Sequence, residues 1–168
     1  MFKRSVMAGV AVAAACALGG GVAQAADDAV VGPDGYKTLH LGQSLAEAEA
    51  TGLLVGKQVG ENCTYYSLRP EEGQSNPGSG VFVDPAEGVV FIGGTSLSRT
   101  PEHVTLGTAR SDVEAAYEDL TPVPPQDWIV ETDVPGGEPG SKYRFAFDQA
   151  EAVSDFGLRA ANTGGCTS

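Results

Sequence analysis

Residues 41–50 read LGQSLAEAEA, and 65 positions later residues 106–115 read LGTARSDVEA. Leu-Gly opens both stretches, Glu-Ala closes both, and Glu47 is answered by Asp112. A second pair of segments echoes at almost the same spacing. VFVDPAEGVVFIG at 81–93 aligns with FAFDQAEAVSDFG at 145–157, an offset of 64. Asp84 then meets Asp148, Glu87 meets Glu151, Val89 meets Val153 and Gly93 meets Gly157. Two segments that recur in the same order at one spacing are the signature of a duplicated supersecondary unit. The one-residue slip falls in loops, where length changes are tolerated. Whatever one half forms, the other half is expected to form as well.

Each half reads as a helix followed by strands. In the first, Ser44 is a good N-cap and Glu47 stands three residues on, a capping box. Leu45, Ala48 and Leu53 supply the buried stripe, and Gly52 is a natural stop. In the second, Thr108 or Ala109 starts the helix and Val113, Ala116, Tyr117 and Leu120 make the stripe. Pro122, Pro124 and Pro125 forbid its continuation. CTYYSL and WIVETDV then occupy equivalent places as strands, and the turns PAEG and QAEA are each flanked by a pair of strands. Polar Gly/Pro/Ser-rich loops, RPEEGQSNPGSG and VPGGEPGS, separate the first strand from the second. The expected fold class is therefore α+β: two tandem repeats, each a helix packed on a three- to four-stranded antiparallel sheet. Repeat 1 is placed at 36–93, a linker at 94–102, repeat 2 at 103–160 and a C-terminal tail at 161–168.

The first 25 residues read as a signal peptide. Lys3 and Arg4 precede an apolar stretch from Val6 to Leu18, and AQA at 23–25 is a small-x-small cleavage site. A competing reading takes AAAC at 13–16 as a lipobox with Cys16 lipidated, which makes the chain a membrane-anchored lipoprotein. Cleavage after Ala25 leaves 143 residues, and loss of Lys3 and Arg4 leaves 8 basic against 22 acidic residues, a net charge of −14. None of the remaining cations clusters, which argues against nucleic acid and against anionic membrane surfaces as partners. Acidic excess keeps an exported chain soluble and steers basic partners. With Cys16 removed or acylated, Cys63 and Cys166 remain, and two cysteines in an oxidising compartment are expected to pair as a disulfide.

The stretch LHLGQSLAEAEATG followed by VGENC resembles the repeat units of the streptomycete β-lactamase inhibitory proteins. It is similar too to the single unit of the outer-membrane assembly lipoproteins of the SmpA/OmlA type, and to secreted actinobacterial proteins of the same build. The resemblance implies a helix-then-sheet unit used twice, with a concave sheet face and loop that grip another protein. The departures are specific. The inhibitors carry a disulfide inside each repeat, whereas Cys63 has no partner inside its own, and Trp128 stands where repeat 2 would place the equivalent cysteine. The inhibitory loop of the family has no convincing match in RPEEGQSNPGSG, so the target does not carry over.

Chemistry is sparse. His40 and His103 fall two positions apart in the repeat alignment, and no His/Cys/carboxylate spacing matches a metal site, so no metal or cofactor is expected. GGTSLS at 93–98 lacks the nucleophile elbow, and GKQVGEN lacks the phosphate-loop pattern. No catalytic residues are assigned, and the chain is expected not to be an enzyme. Binding features are richer. A helix covers only one side of a sheet, and aromatics and arginines on the other side make good interface anchors. The candidates are Tyr66, Trp128 and Tyr143, with Arg69 and Arg144 beside them and Glu71 and Glu72 in the long loop. The function expected is a secreted, non-enzymatic protein-binding module, inhibitor-like, with a secreted hydrolase as candidate partner. The alternative is a lipid-anchored structural or assembly protein of the envelope.

Overall fold

The structure is a computed structural model and describes residues 29–77 and 79–166. The expected signal segment, its expected cleavage site and Cys16 lie outside the described residues. A small hairpin of β1 (Gly35–Tyr36) and β2 (Leu39–His40) leads into α1 (Leu45–Ala50). Strands β3 (Leu54–Val59), β4 (Thr64–Leu68), β5 (Val81–Asp84) and β6 (Gly88–Gly93) follow, then α2 (Arg110–Ala116). The chain ends with β7 (Thr121–Val123), β8 (Gln126–Asp133), β9 (Lys142–Phe147) and β10 (Val153–Arg159). Eight of these strands form one antiparallel sheet in the order β3-β4-β5-β6-β10-β9-β8-β7.

This overturns the expected α+β class with its two helix-on-sheet repeats. The molecule is mostly β, and β6 pairs directly with β10, Gly93 opposite Gly157 and Ile92 opposite Leu158, so one sheet runs through both halves. The helices are too short to carry a class of their own, at six and seven residues among the described residues. Their sequences explain the brevity. LAEAEA is cut off by Gly52, whose φ of 71° favours glycine, and the second helix gives way at Tyr117, whose backbone is already extended. Two strands escape a reading by pattern. LVGKQV is interrupted by Gly56 at positive φ and a register shift, and TPV is a strand despite Pro122, which a sheet tolerates at its edge.

The two echoing segments make matching local contacts. Gly42 and Gly107, at φ 77° and 85°, each donate a backbone hydrogen bond to a strand, at Val89 and Val153. Asp84 Oδ1 accepts from the amides of Ala86 and Glu87, and Asp148 Oδ1 accepts from those of Ala150 and Ala152. Each carboxylate thereby closes its hairpin turn as an Asx-type cap. The capping box is present in α1: Ser44 Oγ accepts from Glu47 N, and Glu47 Oε2 accepts from Ser44 N.

One face of the sheet is covered. Val81, Val89, Ile92, Val130, Phe145, Phe156 and Leu158 point into a core closed by α1, α2, the small hairpin and the segment around Val31. The connection 94–102 holds a buried stretch. Thr95, Ser98 and Thr100 are fully enclosed, and Thr100 Oγ1 accepts from Tyr117 OH at 2.9 Å. Cys63 and Cys166 form a disulfide that ties the tail beside β4.

Candidate functional site

Alternation along the strands decides which side chains reach the other, open face. Tyr65, Phe82 and Phe91 sit opposite one another on β4, β5 and β6, with ring centroids 5.4 and 5.2 Å apart. They form an aromatic ladder that does not belong to the core. Next to it the sheet has no side chains at all, because Gly93 faces Gly157 across the central strand pair. A Cβ on Gly157 would lie 2.5 Å from the Phe91 ring, and one on Gly93 would lie 2.3 Å from Ser79 Oγ. The two glycines let Phe91 and Ser79 settle onto the backbone of the sheet. Beyond them Arg144 shares the face of Gly157, while Asp155, Ala146 and Ile129 line up across β10, β9 and β8. Arg159 bridges to Glu131 through two hydrogen bonds of 3.0 Å, which fixes that end of the face.

These residues enclose a cavity of about 480 Å³ on the open face, lined by Phe82, Phe91, Trp128, Arg144, Asp155 and Ser79 among others. Asn76 and Ser79 enter from the 69–80 loop, which the Tyr65 hydroxyl pins by donating to Ser79 O at 2.6 Å. Trp128 stands 48% exposed at the rim. Burial raises the Asp155 carboxyl above the usual carboxylate range, and the nearby Ser79 hydroxyl, the Phe156 amide and the Arg144 charge offset this only in part. Ser79 Oγ and Asp155 Oδ1 are both shielded, and neither completes a hydrogen bond among the described residues. A second cavity of about 360 Å³ lies beside the disulfide, but its lining carries no charged side chain. Among the described residues no three His, Cys, Asp or Glu side chains group as metal ligands, and no helix is long and apolar enough to cross a membrane.

The residues singled out from sequence divide sharply. Trp128 and Arg144 reach the open-face cavity. Tyr66 and Tyr143 do not: they are 3% and 1% exposed and belong to the core. Tyr66 OH donates to Glu49 Oε1 at 2.5 Å, and Tyr143 OH donates to Val31 O at 3.0 Å. Glu72 is a structural group rather than an inserting acid, since it accepts from Tyr36 OH at 2.7 Å and from Lys37 Nζ. Burial pushes its carboxyl up, but the hydrogen bonds from Lys37 and Tyr36 together with the Lys37 and Arg69 charges hold it below the usual range. Arg69 and Glu71 stay in solvent, paired at 3.5 Å, with Arg69 also donating to Gly52 O.

Tyr65, Phe82, Phe91, Ser79 and Asp155 were missed, although a signal for most of them was present. Leu68 shares parity with Tyr66, which marks Tyr66 as inward and Tyr65 as outward. Tyr143, Phe145 and Phe147 share parity too, and three aromatics at alternate positions mark a core face, so Tyr143 cannot join Arg144 outside. Nothing local distinguishes Ser79, whose place depends on the loop folding back over Gly93.

No family model matches the chain, and no curated protein does. The uncharacterised protein yfeY from Escherichia coli has a solved structure similar to this chain at a TM-score of 0.45 and 17% identity, covering 79% of this chain and 97% of that one.

Proposed function

We propose that the chain is an exported, non-enzymatic protein-binding module that engages its partner, with a secreted hydrolase as the leading candidate, through the open face of the sheet. The observation that carries the reading is Trp128, half exposed and lining the same cavity as Arg144, on a side of the sheet that no helix covers among the described residues. Tryptophan and arginine are among the side chains that most often anchor protein interfaces. The net charge of −12 over the full sequence favours a partner with a basic surface, which would be drawn in at an enhanced rate at low salt.

The test immobilises the mature chain and its Trp128→Ala variant in parallel and passes culture supernatant over both. A hydrolase retained by the first surface and lost from the second, whose activity then titrates to a plateau with added chain, is the expected result. Equal retention on the two surfaces, or a retained protein whose activity the chain leaves unchanged, removes the inhibitor reading.

A further inference from the structure

We propose that the cavity on the open face binds a neutral polyhydroxylated ring, a single saccharide unit, with its C–H face on the aromatic wall and its hydroxyls toward Asp155 and Ser79. The site goes beyond the protein-binding reading and does not depend on it. Its volume of about 480 Å³ falls within the range of small-molecule sites, roughly 300–1,000 Å³. The walls are Phe82, Phe91 and Trp128, and the polar groups are Asn76, Ser79, Arg144 and Asp155.

Charge narrows the ligand. One carboxylate and one guanidinium line the same small space, so an ammonium group meets Arg144 as well as Asp155, and an acid meets Asp155 as well as Arg144. A neutral ligand escapes both conflicts. Hydrogen bonding narrows it further. Asp155 Oδ1 and Ser79 Oγ complete no well-aligned hydrogen bond among the described residues, although the serine stands close enough to steady the carboxyl. Ser79 is only 4% exposed, so these atoms are met by a group delivered to the cavity floor with a turn of the serine hydroxyl toward it. A ligand hydroxyl both donates and accepts, which suits the pair. The weakly positive C–H edges of a sugar ring also pack well on the negative faces of aromatic rings.

The floor is held before any ligand arrives. Ser79 N donates to Asn76 O at 2.9 Å, Tyr65 OH clamps Ser79 O, and Gln74 N is tied to Ser96 Oγ at 3.0 Å. Such preorganisation lowers the entropy cost of binding.

Trp128 is the single tryptophan of the chain, so emission excited at the red edge, where its tyrosines do not absorb, reports on the cavity rim. The mature protein is titrated with glucose, galactose, N-acetylglucosamine and their short oligosaccharides, beside N-acetyl-lysine methylamide and acetate as cationic and anionic probes. A saturable change with at least one sugar and none with the charged probes is expected. Ser79→Ala and Asp155→Ala, checked by circular dichroism and thermal melting, should keep the fold without loss of melting temperature and bind about tenfold more weakly. A response to a monosaccharide identifies a site for the free sugar. A response confined to oligosaccharides identifies a glycan end as the source. Either supports the proposal. No response to any sugar, a response to a charged probe alone, or sugar binding that survives both substitutions overturns it. Loss of sugar binding in the two variants with a hydrolase still retained separates this site from the protein-binding reading.

Discussion

Glu72 shows how much of this molecule depends on single side chains that look like surface acids. Its carboxylate accepts from a buried tyrosine and a lysine at once, and its own backbone carbonyl accepts from Thr95 Oγ1 at 2.5 Å. Its side chain is only 12% exposed, so substitution leaves the Tyr36 hydroxyl without its charged acceptor. Glu72→Gln is expected to cost about 1–3 kcal/mol at pH 7, measured by urea unfolding. Because the folded-state pKa is depressed, this contribution is present above the ordinary carboxylate range and lost as pH falls through the folded value. The gap between wild type and variant should therefore shrink at pH 3, and a gap unchanged from pH 7 would refute the ion-pair account. The same scale explains which candidate residues were legible. Arg144 is legible because a strand that buries Tyr143 and Phe145 must show the residue between them. Trp128, by contrast, has the parity of buried Val130 and reaches the rim where the register between β7 and β8 shifts. Tyr66 and Tyr143 are aromatic but turn inward, because their strand parity is that of buried Leu68 and of Phe145 and Phe147. Asp155 could not be found locally, since its burial comes from a loop in the other half of the chain, around Asn76 and Ser79.

At the scale of elements, the two helices differ in one cap. Position 44 is serine with a complete capping box, whereas the corresponding N-cap, Ala109, has extended backbone and no side-chain hydrogen bond. Ala109 is exposed, so a hydroxyl there meets no steric obstacle from burial. Ala109→Ser is expected to stabilise by about 0.5–1 kcal/mol and Ser44→Ala to destabilise by about 1 kcal/mol. For a domain of this size each should move the melting temperature by about 2–5 °C in opposite directions, read by calorimetry. A lower melting temperature for Ala109→Ser would show that the α2 terminus is satisfied in another way. The strands were legible where hydrophobic runs flank a turn, as at PAEG and QAEA, because Asp84 and Asp148 close those turns locally. The edge strands were not. Glycine in one and proline in the other are read as breakers, and an edge needs neither a full hydrogen-bond ladder nor a buried face. The short helices invited an α+β reading because a capping box announces a helix start and says nothing of its length.

At the scale of the whole molecule, the sheet and the disulfide divide the work of holding distant parts together. The pairing of β6 with β10 joins the two halves through backbone hydrogen bonds, a long-range link that no local pattern announces. The Cys63–Cys166 bond closes a loop across a separation of 103 residues. The tail does not rely on it alone: Gly165 N donates to Asp84 Oδ2 at 2.6 Å and Asn162 Nδ2 to Glu87 Oε1 at 2.8 Å. The disulfide should therefore act mainly on the unfolded chain, by restricting a long loop, while the folded tail stays in place without it. The chain-entropy model assigns such a loop about 4–5 kcal/mol as an upper figure. The double variant Cys63→Ala/Cys166→Ala is expected to keep a native circular dichroism spectrum and native resistance of residues 161–166 to proteolysis. Its unfolding free energy should drop by several kcal/mol, with a larger denaturant slope as the freed unfolded chain expands. If the slope stays constant and the tail becomes cleavable under native conditions, the bond is instead a clamp on the folded state, and the tail contacts of Asp84 and Glu87 are too weak to hold it.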